Sequence, residues 1–79
     1  MTDVIDREPT VGLLSAREQE ILLAIAAGLS AKEIARRLIL SHRTVERHIE
    51  NIRQKMHARN TPHMISCAYT SGMLAIQAA

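Results

Sequence analysis

The side chains with the widest chemical reach are concentrated between residues 42 and 54, where His42, Arg43, Glu46, Arg47, His48, Glu50, Arg53 and Gln54 share one short stretch. If that stretch is helical, Arg43 and Arg47 stand one turn apart with Glu46 and Glu50 interleaved. A guanidinium fork donates two parallel hydrogen bonds to guanine O6 and N7, and a carboxylate accepts from a cytosine amino group. The set therefore suits the base edges of a DNA duplex. The same residues could instead neutralise one another on a solvated surface, Arg43 with Glu46 and Arg47 with Glu50, as i,i+3 pairs. Base reading is the favoured alternative, because a bidentate base contact discriminates by ~1–3 kcal/mol and easily exceeds such a surface pair.

Other chemistry finds little support. His42 and His48 point about 120° apart on one helix and cannot share a metal there. His63 and Cys67 are spaced i,i+4, but two ligands do not make a metal site, and none is expected. Nothing basic flanks Cys67 to lower its thiol pKa. No nucleophile with its base, no phosphate loop and no paired carboxylates can be assembled. Seventy-nine residues make one small domain, burying roughly 60% of its unfolded surface. A helical core fits within that, but a deep substrate pocket does not, so neither a stand-alone enzyme nor a cofactor or small-molecule site is expected.

Charge is distributed unevenly. The chain carries a formal +2, yet residues 1–20 hold a net −3, residues 32–59 a net +5, and the last twenty residues no Asp, Glu, Lys or Arg. Such a basic block is the footprint of a polyanion-binding face. A single aromatic residue, Tyr69, argues against binding modes that stack unpaired bases on rings. The nine-residue apolar run from Ile21 to Leu29 is far short of the roughly 20 residues a membrane span needs. With a lone cysteine and no signal-peptide pattern, a cytoplasmic location without membrane contact is expected.

The elements that must position these residues are marked locally. Ser15 with Glu18, and Ser30 with Glu33, have capping-box spacing. Ser41 can cap a third helix, and Thr61 before Pro62 a fourth; Gly28 and Gly72 suit helix ends. Helices are thus expected over 16–27, 31–38, 42–57 and 62–71. Val45, Ile49, Ile52 and Met56 form an apolar stripe about 60° wide, opposite Arg43, Glu46, Arg47, Glu50 and Gln54. The expected fold is all-α, a four-helix bundle containing a helix-turn-helix. Its third helix can enter the major groove, while its first-turn N–H groups and the flanking Lys32, Arg36, Arg37 and Arg53 face phosphates.

The runs Leu14-Ser-Ala-Arg-Glu-Gln-Glu-Ile-Leu22, Gly28-Leu-Ser-Ala-Lys-Glu-Ile-Ala35 and Leu38-Ile-Leu-Ser41, followed by Thr44-Val45, His48, Asn51-Ile52 and Lys55-Met56, resemble the LuxR/GerE-type DNA-binding domain of NarL/LuxR-class bacterial transcriptional regulators. The likeness runs without a gap from Leu13 to about Leu74. It implies a domain over 13–75, a mobile acidic leader over 1–12 and a tail over 76–79. It also implies a sequence-specific transcriptional regulator that reads bases through Arg43, Glu46, Arg47 and Glu50. Phosphates would be held by Lys32, Arg37, Thr44 and Arg53. A homodimer on DNA would form through the uncharged fourth helix, with Met64, Ala68 and Tyr69 at the contact, and RNA polymerase is a further candidate partner. Glu18, Leu22 and Gly28 fall on structural positions, Glu18 as a cap residue with room for a buried partner such as an arginine, and His48 reads as a packing residue. Family members often carry Lys where Glu46 and Glu50 stand. That departure supports the alternative of a protein-interaction module that modulates another regulator without touching DNA.

Overall fold

The computed structural model describes residues 14–72 and Leu74. The leader over 1–12, Met73 and the tail over 76–79 lie outside the described residues. Within them the chain forms four helices, α1 (Ala16–Ala26), α2 (Ala31–Leu38), α3 (His42–Lys55) and α4 (Thr61–Thr70), with no strand. Both expected capping boxes form. Ser15 Oγ accepts the Glu18 N–H while Glu18 Oε1 accepts the Ser15 N–H at 2.9 Å, and Ser30 and Glu33 repeat the exchange. Each box satisfies N-terminal N–H groups that the helix itself cannot.

Four boundaries differ from expectation, the ends of α1 and α4 by one residue each and two others for a visible reason. The cap of α4 is Asn60, whose Oδ1 accepts the His63 N–H at 2.8 Å, so Thr61 opens the helix and Pro62 follows inside its first turn. The third helix stops at Lys55 rather than residue 57. There His57 turns into the left-handed region at φ 56°, and the N–H of Ala58 bonds back to the Arg53 carbonyl at 3.0 Å. This closing pattern satisfies the last carbonyls of a helix.

Gly28 ends α1 at φ 97°, a value only glycine takes freely. The link from α2 to α3 achieves the same reversal without glycine. Ile39 sits at φ 56° and is 89% exposed, while the Leu40 N–H returns to the Ala35 carbonyl at 2.9 Å. For a β-branched residue that conformation costs about 1–2 kcal/mol, and it lets α3 follow α2 after a link of only three residues, 39–41.

The core is assembled around α3. Val45 and Ile52 are fully buried against Ile21 and Leu22 of α1 and Ile34 of α2, with Met56, Ala58, Met64 and Ala68 closing the far end. The last helix packs chiefly on α3 rather than on α1. Glu18 is the one buried charged side chain among the described residues, and Lys55 Nζ reaches its Oε1 at 2.8 Å across 37 residues of sequence. The partner allowed for at this position is therefore a lysine. Burial raises the Glu18 pKa, but the hydrogen bond from Lys55, the Ser15 N–H and the charges of Lys55 and His48 outweigh it and hold the carboxyl below its ordinary value.

Candidate nucleic-acid interface

With Val45, Ile52 and Met56 turned inward, helical periodicity turns Arg43, Arg47, Glu50 and Gln54 outward. Arg43 and Arg47 are both exposed, and neither makes a hydrogen bond or ion pair among the described residues. Their guanidinium groups are free to bind an external acceptor.

The acidic residues on the same helix are engaged, though not with the arginines that i,i+3 counting suggested. His42 Nε2 lies 3.4 Å from Glu46 Oε2, an exposed i,i+4 contact that is ionic when the imidazole is protonated. Glu50 faces the other way along the chain. Its Oε1 accepts from Arg53 Nε at 3.0 Å, its Oε2 from a second nitrogen of Arg53 and from Gln54 Nε2, also at 3.0 Å. Two side chains thus occupy both oxygens, and the bonds from Arg53 and Gln54 lower the Glu50 pKa to about 2. Reciprocally, the hydrogen bond to Glu50 raises the pKa of Arg53.

This geometry narrows two expectations. Arg53 is not an open phosphate clamp, because besides Glu50 it donates to the Ala58 carbonyl at 2.6 Å and so ties the end of α3 to the following turn. Glu50 already accepts three hydrogen bonds from its own helix, which leaves one acceptor site, on Oε1, for a cytosine amino group. The remaining phosphate candidates are open: Lys32 and Arg37 on α2 are exposed and unpaired within the described residues. Thr44 is half-buried at the start of α3. Its Oγ1 accepts from Ser41 Oγ at 2.8 Å, which leaves its own proton to donate. Ser41 caps the Thr44 N–H, and the N–H groups of His42 and Arg43 have no partner among the described residues. An anion can approach there, where the helix dipole favours it.

The dimer residues need correction. Met64 and Ala68 are 0% exposed and belong to the core, where Met64 fills the space beneath α3. Neither can offer a side chain to a partner. Tyr69, at 36%, remains on the surface with Ser66 and Thr70. The helix bears no charge anywhere, so no polar-to-apolar contrast indicated which of its apolar residues faced inward. His63 and Cys67 do share a shallow hollow with Ser66 and Thr70. However, His63 Nδ1 accepts the Arg59 N–H at 2.9 Å, and no group of three metal-binding side chains occurs among the described residues. His48 is half-buried, in keeping with a packing position. Sequence reasoning missed His42 and Gln54 as partners of the acidic residues, although their i,i+4 spacing was a usable signal. No helix among the described residues is long and apolar enough to cross a membrane.

Comparison with known proteins places this arrangement. The model of "bacterial regulatory proteins, luxR family" matches residues 12–68, covering α1 to α3 and most of α4. The transcriptional regulatory protein FixJ of Rhizobium meliloti is 41% identical over 70 residues, which is 89% of this chain and 34% of that protein. The oxygen regulatory protein NreC of Staphylococcus carnosus is 42% identical over 62 residues, 78% of this chain and 29% of its own length. FixJ of Bradyrhizobium diazoefficiens is 39% identical over 64 residues, covering 81% of this chain and 31% of that one. The chain spans about a third of the length of these relatives.

Proposed function

The chain belongs to the luxR family of bacterial regulatory proteins, and from that premise we propose that it is a sequence-specific, double-stranded DNA-binding regulator of transcription whose α3 enters the major groove. The observation that carries this reading is the state of the outer face of α3. Arg43 and Arg47 are exposed, one turn apart and unpartnered among the described residues, while Glu50 is taken up by Arg53 and Gln54 and Glu46 lies beside His42. Two open guanidinium forks at that spacing suit guanines in the major groove. Glu46, contacted among the described residues by His42 alone, stays within reach as an acceptor for a cytosine amino group. Glu50 contributes negative charge near phosphate and lowers affinity for arbitrary sequences.

Lys32, Arg37, Thr44 and the first-turn N–H groups of α3 fix the register by binding phosphates. Two copies associate on DNA through the exposed, uncharged side of α4 that includes Tyr69, so that a two-fold or repeated site matches the pair. The consequence for transcription is exerted on RNA polymerase, by contact or by occlusion.

Selection from a random duplex pool is the test. The unaltered chain should enrich a guanine-containing motif, and Arg43→Ala with Arg47→Ala should abolish the enrichment while leaving the thermal unfolding midpoint unmoved, since neither side chain is packed. No enrichment at low salt would sink the DNA-binding reading and favour an interaction module.

A further inference from the structure

We infer that Asn51 is a further base-reading residue, specifying an adenine on the same side of the site as the guanines read by Arg43 and Arg47. The inference rests on the DNA-binding reading above and adds to it a residue and the base that it prefers.

The ion pairs divide α3 lengthwise. At 100° per residue, His42, Glu46, Glu50 and Arg53 fall within about 80° of one another, on one flank of the outward face. These are the residues that pair among themselves. On the other flank Arg43, Arg47 and Asn51 succeed one another every four residues, each displaced by about 40° from the last. All three are exposed, and none makes a hydrogen bond or ion pair among the described residues. One flank carries the ion pairs, and on the other Arg43, Arg47 and Asn51 form a row of open hydrogen-bonding groups, while Gln54, which falls between the two arginines, turns to Glu50.

The row is long enough to matter. From Arg43 to Asn51 the helix rises about 12 Å, which matches three to four base pairs if α3 lies along the groove rather than pointing into it end-on. The chemistry changes along the row. Arginine offers donors only and suits guanine, whereas the asparagine amide offers one donor and one acceptor, the complement of adenine N7 and its N6 amino group. No carboxylate among the described residues engages that amide, so it meets DNA with both functions available.

The experiment is duplex selection with the full 79-residue chain and with two variants. Asn51→Ala should leave the guanine positions intact and erase preference at one A·T pair, a loss on the order of tenfold there. Asn51→Asp should move that position toward cytosine, whose amino group donates to a carboxylate. Thermal unfolding midpoints should match the parent in both variants, whereas a merely structural Asn51 would shift the midpoint and weaken every position alike. An Asn51→Ala motif identical to the parent's at every position overturns the inference and leaves the DNA-binding reading standing. Failure of the unaltered chain to enrich any motif overturns both.

Discussion

The inner and outer faces of α3 carry the same chemistry under different dielectric conditions. Inward, Lys55 meets Glu18 beside the core, with the glutamate side chain 7% exposed and the lysine 38%. Outward, Arg53 and Gln54 meet Glu50 in water, its side chain 50% exposed. Both carboxylates are held below their ordinary pKa by hydrogen bonds from basic partners. The inner pair nevertheless joins two helices that are distant in sequence, whereas the outer one joins neighbours on a single turn. A buried carboxylate deprived of its partner has no water to turn to, so the inner pair bears on folding. The outer pair loses little on exposure, and its importance lies in what it withholds from DNA.

The largest effect on this contrast should come from Lys55→Met, which keeps the stem but leaves Glu18 buried with the Ser15 N–H and without its ammonium partner. Chemical denaturation should show a loss of about 2 kcal/mol, toward the value of a hydrogen bond to a charged group, because the half-open lysine softens the penalty of full enclosure. DNA affinity measured well below the unfolding midpoint should be unchanged. A loss under 0.5 kcal/mol would show that the inner pair is no different from the outer one.

Acid should act next, and on the inner pair. Because the folded pKa of Glu18 lies below its ordinary value of 4.5, its contribution to stability is fully present above that value. It is lost as pH falls through the folded value. The unfolding midpoint should therefore decline more steeply below about pH 4.5 in the parent than in Glu18→Gln, which retains a cap acceptor but cannot titrate. Parallel profiles would remove Glu18 from the account of acid stability.

The smallest change in stability should come from Glu50→Gln. Its unfolding midpoint should match the parent's, yet affinity for random duplex should rise. The slope of log affinity against log salt should steepen by about one as Arg53 gains freedom to meet phosphate. An unaltered slope would mean that Arg53 stays bound to the Ala58 carbonyl and never reaches the backbone.

Much of this was legible locally. Ser15 with Glu18 and Ser30 with Glu33 form their boxes because the contacts span three residues and need nothing from the rest of the fold. The outward face of α3 followed from the apolar spacing of Val45, Ile52 and Met56. What failed was of two kinds. Asn60 took the cap of α4 from Thr61, since both residue types cap and only the path of the chain out of α3 selects between them. Met64 and Ala68 were assigned to a surface because α4 offers no charged side from which to phase it.

By itself, then, the sequence determined the helices, the starts of the first three and the concentration of basic charge on the helix-turn-helix, because these depend on contacts within a turn or two and on composition. The tertiary structure decided the rest. It brought Lys55 to Glu18 across 37 residues, drew Met64 and Ala68 into the core, and assigned Glu46 and Glu50 to partners other than Arg43 and Arg47. The physical reason is that an exposed side chain has several partners within a helical turn, all of comparable and small energy. Only the folded geometry, which anchors Arg53 to the Ala58 carbonyl and buries Glu18, selects one of them.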